Sequence, residues 1–88
     1  MNVKFESKFE KDLRAIKDKQ LLTKIKEIII HCKQANRLSE LKNVKKLQGS
    51  DTFYRIRVGE YRIGLELLSD ELIFTRVLHR KDVYKYFP

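Results

Sequence analysis

Residues 54–67 read Tyr-Arg-Ile-Arg-Val-Gly-Glu-Tyr-Arg-Ile-Gly-Leu-Glu-Leu, an alternation of polar and apolar side chains. A period of two is typical of β-strands with one buried face. Gly59 and Glu60 interrupt the alternation, and glycine in the first position favours a two-residue type II′ turn. The stretch therefore predicts a β-hairpin with a defined register. Its cross-strand pairs are Val58 with Tyr61, Arg57 with Arg62, Ile56 with Ile63, and Arg55 with Gly64.

The predicted hairpin has two chemically different faces. The apolar face, which can form a core, carries Tyr54, Ile56, Val58, Tyr61, Ile63 and Leu65. The polar face brings together Arg55, Arg57 and Arg62. Like charges directly opposite each other across a β-ladder destabilise the sheet. We interpret guanidinium groups kept together at that cost as a binding surface for an external anion; the alternative is a solvated sheet face without a ligand.

Ahead of the hairpin, the sequence predicts a strand and two helices. Residues 2–6 alternate as a short strand does, and Ser7 with Glu10 fits a capping box that starts the first helix. The second helix spans residues 20–34, after a turn near Asp18. The apolar stripes contain Phe9, Leu13 and Ile16 on the first helix and Leu21, Ile25, Ile28, Ile29 and Cys32 on the second. The short link makes them an antiparallel helical hairpin.

Around the hairpin, the sequence predicts two further strands and a short C-terminal helix. Residues 35–43 form a polar connection whose structure stays open, and residues 44–47 form a strand. Residues 72–79 are apolar on both sides, as in a central strand covered on both faces. Two-residue and three-residue loops before this strand give opposite registers, and both stay open. Asp82 is expected to cap a helical turn over residues 83–87.

These elements predict an α+β fold. An N-terminal strand and a helical hairpin pack on a four- to five-stranded, mainly antiparallel sheet that ends in a short C-terminal helical turn. The helices cover the apolar face of the sheet, and the face with the arginines is left open. The 88 residues are expected to form a single domain.

Composition indicates a soluble, cytoplasmic protein. The only cysteine, Cys32, excludes an intrachain disulfide and falls in an apolar helical stripe, which favours a buried structural role. The N-terminal segment is charged and lacks the apolar core of a signal peptide. The longest purely apolar run, residues 28–30, is too short to span a bilayer. No spacing of side chains suggests a metal site, and no cofactor is expected.

The net charge of +8 indicates an anionic partner. Residues 1–48 carry 13 basic side chains, of which 11 are lysine, whereas 5 of the 7 basic residues after them are arginine. Arginine binds phosphate through two parallel hydrogen bonds, which lysine cannot do. The first half therefore supplies a general positive field, and the second half is expected to bind phosphate directly.

Three segments in order resemble the RelE/ParE superfamily of toxins from type II toxin–antitoxin pairs. They are Leu47-Gln-Gly49, the stretch from Tyr54 to Ile63, and His79-Arg-Lys-Asp-Val-Tyr84, preceded by the helical hairpin. The resemblance covers nearly the whole chain and implies one RelE-like toxin domain, residues 1–88. It implies a metal-independent mRNA interferase that acts in the A site of the small ribosomal subunit and is silenced by a cognate antitoxin, with no membrane partner.

The same resemblance implies the site residues. By position, Arg62, Arg80 and Tyr84 match catalytic residues, with His79 as a further candidate for proton transfer. The residues expected to bind RNA are Arg55, Arg57, Lys45, Lys46 and Tyr86. The implied reaction is attack by an RNA 2′-hydroxyl on the adjacent phosphate, which yields a 2′,3′-cyclic phosphate and a 5′-hydroxyl.

Physical chemistry supports these residue types independently. Fixed guanidinium donors stabilise the negative charge that develops on the phosphorane. Tyrosine is a poor base at neutral pH unless nearby cations favour its phenolate, and an arginine cluster supplies such cations. A histidine can accept or donate a proton near neutrality, so either His79 or Tyr84 can be the base. Tyr86 can stack on a base, or it packs against the sheet edge. Gly64, opposite Arg55, either widens the patch for RNA or only weakens the strand.

Two other functions fit the same residues. ParE-like members of the superfamily share the fold but inhibit DNA gyrase, and the presence of Arg62, Arg80 and Tyr84 favours the nuclease over that function. A third possibility is a non-catalytic basic domain whose arginine face only docks on nucleic-acid phosphates.

Overall fold

A helical hairpin covers one face of a five-stranded sheet, as the sequence predicts. The computed structural model describes residues 1–88. The strands are β1 (Asn2–Phe5), β2 (Val44–Lys46), β3 (Phe53–Val58), β4 (Tyr61–Leu68) and β5 (Glu71–His79), and the helices are α1 (Ser7–Ala15), α2 (Lys19–Gln34) and α3 (Val83–Tyr86). The sheet order is β1-β5-β4-β3-β2, and only the β1–β5 pair is parallel. The α+β prediction is confirmed. None of the helices combines the length and apolarity needed to cross a membrane.

The register of the central hairpin agrees with the prediction at every pair. Val58 lies opposite Tyr61 and Arg57 lies opposite Arg62, and the pairing continues in step to Phe53. Gly59 has a φ of +58°, and Glu60 does not have a positive φ. A positive φ at the first turn position alone is the requirement of a type II′ turn. The turn residues therefore set the alternation of faces along β3 and β4.

The core lies between the helical hairpin and the apolar face of the sheet. Its buried members are Phe9, Leu21, Ile25, Cys32, Ile56, Val58, Ile63, Leu65, Leu72, Phe74 and Val77. Phe9 and Phe74 meet edge to face, with ring centroids 5.3 Å apart. Tyr54 and Tyr61, also predicted for this face, are partly buried against the cluster. Both apolar helical stripes and the predicted sheet face thus supply the core.

The open register of the last strand is resolved by a two-residue turn. Leu68 pairs with Glu71, so Leu72 and Phe74 face the helices. The pairing then shifts, since Gly64 lies opposite Arg76 but Leu65 lies opposite Phe74. This bulge leaves Thr75 without a cross-strand partner, and the Thr75 hydroxyl donates to the Gly64 carbonyl at 3.0 Å. The bulge returns Val77 to the core face.

Two predicted helix caps are wrong. The amide of Glu6 donates to the carbonyl of Phe74 at 3.0 Å and extends the β1–β5 pairing, so Glu6 is the flanking residue of α1. Ser7 then lies inside the first turn, and no capping box forms. Asp82 has helical backbone angles and makes no capping hydrogen bond. The start of α2 is capped instead by Asp18, whose carboxylate accepts from the amides of residues 20 and 21.

The face with the arginines is not fully open, which corrects the prediction. Val83 and Phe87 from the C-terminal segment are buried against it. The ring of Phe87 lies 5.5 Å from the ring of Phe53, centroid to centroid, in an edge-to-face arrangement. Phe87 also occupies the space above Gly64, where an added Cβ would lie 2.6 Å from its ring. Gly64 therefore accommodates Phe87 and does not widen a surface for RNA.

Beyond the end of β1, the Asp12 carboxylate on α1 takes the place of a strand partner at the edge of β5. β1 pairs only with residues 71–74, so the amide of Val77 has no strand partner on that side. Asp12 accepts from this amide at 3.1 Å, and its two oxygens accept from Arg76 at 2.8 and 3.1 Å. These hydrogen bonds, and the negative charge of Asp12, raise the pKa of Arg76 above its ordinary value. The pair fixes α1 on the sheet.

Replacing Asp12 is expected to destabilise the fold. In the Asp12→Ala variant, a largely buried guanidinium and an edge amide lose their partner, which should cost about 2–3 kcal/mol. The exposed pair of Lys4 and Glu71 is the matched control, and Glu71→Gln should cost less than about 1 kcal/mol. Urea unfolding at neutral pH measures both. Equal losses in the two variants would contradict a special role for Asp12.

Candidate functional site

Four arginines converge around the β3–β4 hairpin. Arg55 and Arg57 lie on β3, Arg62 lies opposite Arg57 on β4, and Arg80 directly follows β5. Burial lowers the pKa of Arg62 from its ordinary value, and the positive charges of Arg55, Arg57 and Arg80 lower it further. An arginine keeps its charge at neutral pH despite such a shift. The four cations are therefore close enough to repel each other and to attract one shared anion.

The hairpin turn holds two of these arginines in place. The Nη1 atom of Arg62 donates to the carbonyls of Gly59 and Tyr61 at 2.9 and 2.8 Å. The Arg80 amide donates to the Glu60 carbonyl at 2.7 Å, and the Arg80 Nε atom lies 2.6 Å from the Glu60 carboxylate. The turn therefore holds the guanidinium group of Arg62 and the backbone of residue 80.

Three of the four arginines have no counter-ion within the chain. The ion pairs that the structure contains leave Arg55, Arg57 and Arg62 without a carboxylate within 4.0 Å. Glu60 contacts Arg80, and both side chains are more than half exposed. An exposed pair of this kind contributes little and can exchange with another anion. The cluster thus presents uncompensated charge to a phosphate from outside.

Tyr84 lies at the edge of this arginine cluster. It stands on α3 with 67% of its surface exposed, and it lies close enough to Arg62 to oppose the lowering of the pKa of that arginine by its arginine neighbours. An open groove of about 730 Å³ runs from Tyr84 past Arg55 to Lys45, which lies opposite Arg55 on β2. Lys46 and the loop of residues 47–50 complete the lining. The groove is open to solvent, and six of its eight lining residues are not hydrophobic.

The structure brings together most, but not all, of the predicted site residues. Lys46 pairs with Tyr54 on the helix-covered face, yet it reaches the groove from the sheet edge, and its Nζ atom lies 4.0 Å from the Asp51 carboxylate. Tyr86 is exposed but does not line the groove. Tyr86 is near Arg76 instead, and it is a minor contributor to the raised pKa of that arginine, after Asp12. Tyr86 therefore lies away from the arginine cluster.

His79 does not join the arginine cluster. It lies opposite Tyr61, whose ring it meets edge to face at 5.5 Å, and this pair is on the helix-covered face. Its Nδ1 atom accepts from the Lys81 amide at 3.2 Å. Arg62, the residue directly after Tyr61, projects from the other face of β4 because side chains alternate along a strand. The sheet separates His79 from the candidate site.

Two functional residues were missed by sequence reasoning. Glu60 holds Arg80, and Phe87 anchors the segment that carries Tyr84. For Glu60, the only signal in the sequence was its place in the predicted turn. That turn lies beside the residue that follows the neighbouring strand β5, which is Arg80. Phe87 gave no signal, because one aromatic residue near the end of a chain does not indicate the face it covers.

The remaining potential metal ligands and nucleophiles do not form a second site. No three residues of His, Cys, Asp or Glu come together in a way that could hold a metal ion. Cys32 is fully buried, and burial raises the pKa of its thiol to about 11. The thiol therefore stays protonated at neutral pH and is a poor nucleophile. The arginine cluster with Tyr84 is the arrangement that can bind and act on a phosphodiester.

Comparison with known proteins agrees with this geometry. Residues 3–84 match the family model described as ParE toxin of type II toxin-antitoxin system, parDE. The chain is 48% identical over 89 aligned positions to Toxin RelE3 of Methanocaldococcus jannaschii, with 100% of each chain covered. It is 33% identical over 86 positions to Putative toxin RelE1 of the same organism, which covers 96% of this chain and 94% of the relative.

A solved structure shows the same fold. A chain of the RelB-RelE antitoxin-toxin complex from Methanococcus jannaschii superposes with a TM-score of 0.82 and 46% sequence identity. The superposition covers 97% of this chain and 99% of that chain. The likeness therefore extends over nearly the whole of both chains.

Inorganic phosphate is expected to stabilise the chain more than chloride at equal ionic strength. A ligand that binds only the folded state raises the free energy of unfolding, by about 1 kcal/mol at roughly five times its dissociation constant. For a chain of this size, that corresponds to a rise of about 4–8 °C in Tm. Thermal unfolding in matched phosphate and chloride buffers measures the difference.

The variant Arg62→Ala should lose this difference, whereas Arg14→Ala, which removes an exposed arginine on α1, should retain it. Phosphate also strengthens apolar burial as an excluded salt, and that effect needs no arginine. An equal phosphate effect in both variants would therefore show that the cluster does not bind the anion.

Proposed function

The chain belongs to the RelE/ParE superfamily of toxins from type II toxin–antitoxin systems, and we propose that it is an endoribonuclease that cleaves mRNA on the ribosome. The observation that carries the proposal is the arginine cluster beside the exposed Tyr84. Three of its cations have no counter-ion in the chain. Apart from the short α3, no helix of the chain packs on the sheet face that holds them. The names of the two RelE relatives support the same activity.

The proposed reaction needs only RNA and side chains of this site. The 2′-oxygen forms a bond to the adjacent phosphorus while the bond from phosphorus to the 5′-oxygen breaks. Tyr84 accepts the proton of the 2′-hydroxyl, and the leaving 5′-oxygen takes a proton from solvent. The products are a 2′,3′-cyclic phosphate and a 5′-hydroxyl, so the atoms balance without water being added.

Each arginine has a role in this reaction. Arg62 is fixed by two carbonyls of the turn, so its guanidinium is preorganised to stabilise charge that develops on the phosphorane. Arg80 contributes a second cation once the scissile phosphate displaces Glu60. Arg55 and Lys45 bind the strand along the groove, and Arg57 adds to the local field.

The proposed inhibitor is an antitoxin protein that covers the arginine cluster. The solved relative in complex with RelB supports such a partner. An acidic, amphipathic segment that folds on binding fits a partly open basic face on a chain with a net charge of +8. Its carboxylates would occupy the positions of RNA phosphates.

A second candidate function is inhibition of DNA gyrase. The matched family model is described as a ParE toxin, which favours this alternative. Gyrase inhibition needs no RNA chemistry, so Tyr84 would be dispensable. A non-catalytic phosphate-binding domain would also leave RNA intact. Mapping RNA ends and DNA breaks after brief expression separates the three functions.

Expression of the parent chain is expected to produce mRNA fragments with 5′-hydroxyl ends. Tyr84→Phe retains the ring but removes the proton acceptor, and single-turnover cleavage on purified ribosomes should fall by about a hundredfold or more, as on loss of a general base. Tyr86→Phe is the matched control on the same helix and should cleave at the parent rate. Arg62→Ala and Arg80→Ala should also lose cleavage while they remain folded.

Two results would contradict the nuclease, and a third would contradict the role of Tyr84. Gyrase-dependent DNA breaks with intact mRNA would establish the ParE-like function, and intact RNA and DNA would leave only binding. Cleavage by Tyr84→Phe at the parent rate would show that another group accepts the proton.

Antitoxin binding is expected to depend on the arginine cluster. Co-expression with the product of the neighbouring reading frame should restore growth and give a complex that survives size-exclusion chromatography. The complex should weaken when Arg55 and Arg57 are both replaced by alanine, and it should be insensitive to Arg14→Ala. A complex that tolerates loss of the arginines would place the antitoxin on another surface.

A further inference from the structure

The C-terminal segment is attached to the arginine face by two side chains. Val83 is 1% exposed and Phe87 is 4% exposed, whereas Tyr84, Lys85 and Tyr86 between them are exposed. The amide of Phe87 donates to the carbonyl of Val83 at 2.8 Å. α3 has only four residues, and a helix of that length is not stable by itself in water. Its position therefore comes from the contacts of Val83 and Phe87 with the sheet.

The Phe87 ring fits because residue 64 has no side chain. A Cβ built on Gly64 would lie 2.6 Å from Cδ1, 2.7 Å from Cε1 and 2.8 Å from Cγ of Phe87. All three distances are shorter than real Cβ contacts, and Cγ cannot move away without the whole ring. The edge of Phe53 closes the other side of the ring. Gly64 and Phe53 thus form a notch that holds Phe87.

The notch is next to the arginine cluster. Gly64 lies directly opposite Arg55, and it is two residues after Arg62 on the same face of β4. The bulge at Gly64 and Leu65 bends the sheet at this point, and the Thr75 hydroxyl donates to the Gly64 carbonyl. The backbone of the notch is therefore fixed by hydrogen bonds that do not involve the C-terminal segment.

We propose that Gly64 and Phe87 are positioning residues, a notch and an anchor that place the Tyr84 hydroxyl beside Arg62 and Arg55. The arginines on β3 and β4 are held by strand pairing and do not need the anchor. Tyr84 is three residues before Phe87 and has no buried contact of its own. The catalytic consequence of this inference rests on the proposed function, whereas the attachment itself does not.

Because Phe87 holds only the segment with Tyr84, its loss should affect the chemical step and not RNA binding by the arginines. Loss of Phe87 should release residues 83–88 and leave the arginine cluster on the sheet, so RNA binding persists. A displacement of a reacting group by about 1 Å can cost about a hundredfold in rate. The rate constant kcat should therefore fall while KM changes little, in a protein whose cooperative unfolding shows that it is folded at the assay temperature.

The experiment compares Gly64→Ala and Phe87→Ala with Leu21→Ala. Leu21 is a buried core residue of α2 on the opposite face of the sheet, so its replacement lowers stability without touching the notch. Hydrogen exchange at the Phe87 amide and trypsin cleavage after Lys85 report release of the segment. Steady-state cleavage of mRNA on purified ribosomes, with the concentration of the ribosome–mRNA complex varied, gives kcat and KM for each variant.

Both notch variants should show fast exchange at residue 87, cleavage after Lys85, a fall in kcat of about a hundredfold and a KM within about twofold of the parent. Leu21→Ala should have a lower Tm but a protected segment and a nearly unchanged kcat. If Gly64→Ala does not fold, Phe87→Ala alone decides, since it introduces no clash.

A protected C-terminal segment in Phe87→Ala would overturn the anchor. A released segment with the parent kcat would overturn its role in positioning Tyr84. If the parent chain cleaves no RNA, the proposed function fails, and the exchange and trypsin data still decide whether the notch holds the segment.

Discussion

The two-residue turn between β3 and β4 determines which side chains share a face of the sheet. A slip of one residue would move every side chain of one strand to the opposite face. The positive φ of Gly59 and the pairing of Val58 with Tyr61 prevent that slip. The same turn binds Arg62 and the backbone of residue 80 through its carbonyls. The constraint that forms the core therefore also assembles the arginine cluster.

The cluster is electrostatically unfavourable by itself, and its surroundings show how that cost is limited. Each guanidinium reaches solvent or a carbonyl oxygen, so no charge is buried without a partner. Glu60 offsets part of the repulsion at Arg80 through an exposed pair that an incoming phosphate can replace. Asp12 pairs with Arg76 in a largely buried environment, and that arginine is structural. Burial of the ion pair thus distinguishes Arg76, which has a structural contact, from the arginines of the candidate site.

Local pattern was sufficient to predict the hairpin, its register and the α+β layers, because period-two alternation and turn chemistry act over a few residues. It was not sufficient for features that join distant parts of the chain. Asp12 and Arg76 are 64 positions apart, and nothing near either residue indicates the other. The bulge at Thr75 and the placement of Phe87 on Gly64 depend on close packing of segments whose approach the sequence does not specify. The pattern also did not indicate that His79 lies on the helix-covered face, because its face depends on the register of β5, which stayed open.

The two faces of the sheet contribute differently to stability and to the candidate site. The helix-covered face buries the main core and supplies most of the apolar contact area. The other face carries a small second cluster of Phe53, Val83 and Phe87, and the charged groups surround it. Because this second cluster is small, the segment it holds is the part of the molecule most easily displaced. A partner that binds the arginine face competes both for the cations and for the surface on which Phe87 rests. Such a partner can therefore silence the site by neutralising charge, by moving Tyr84, or by both at once.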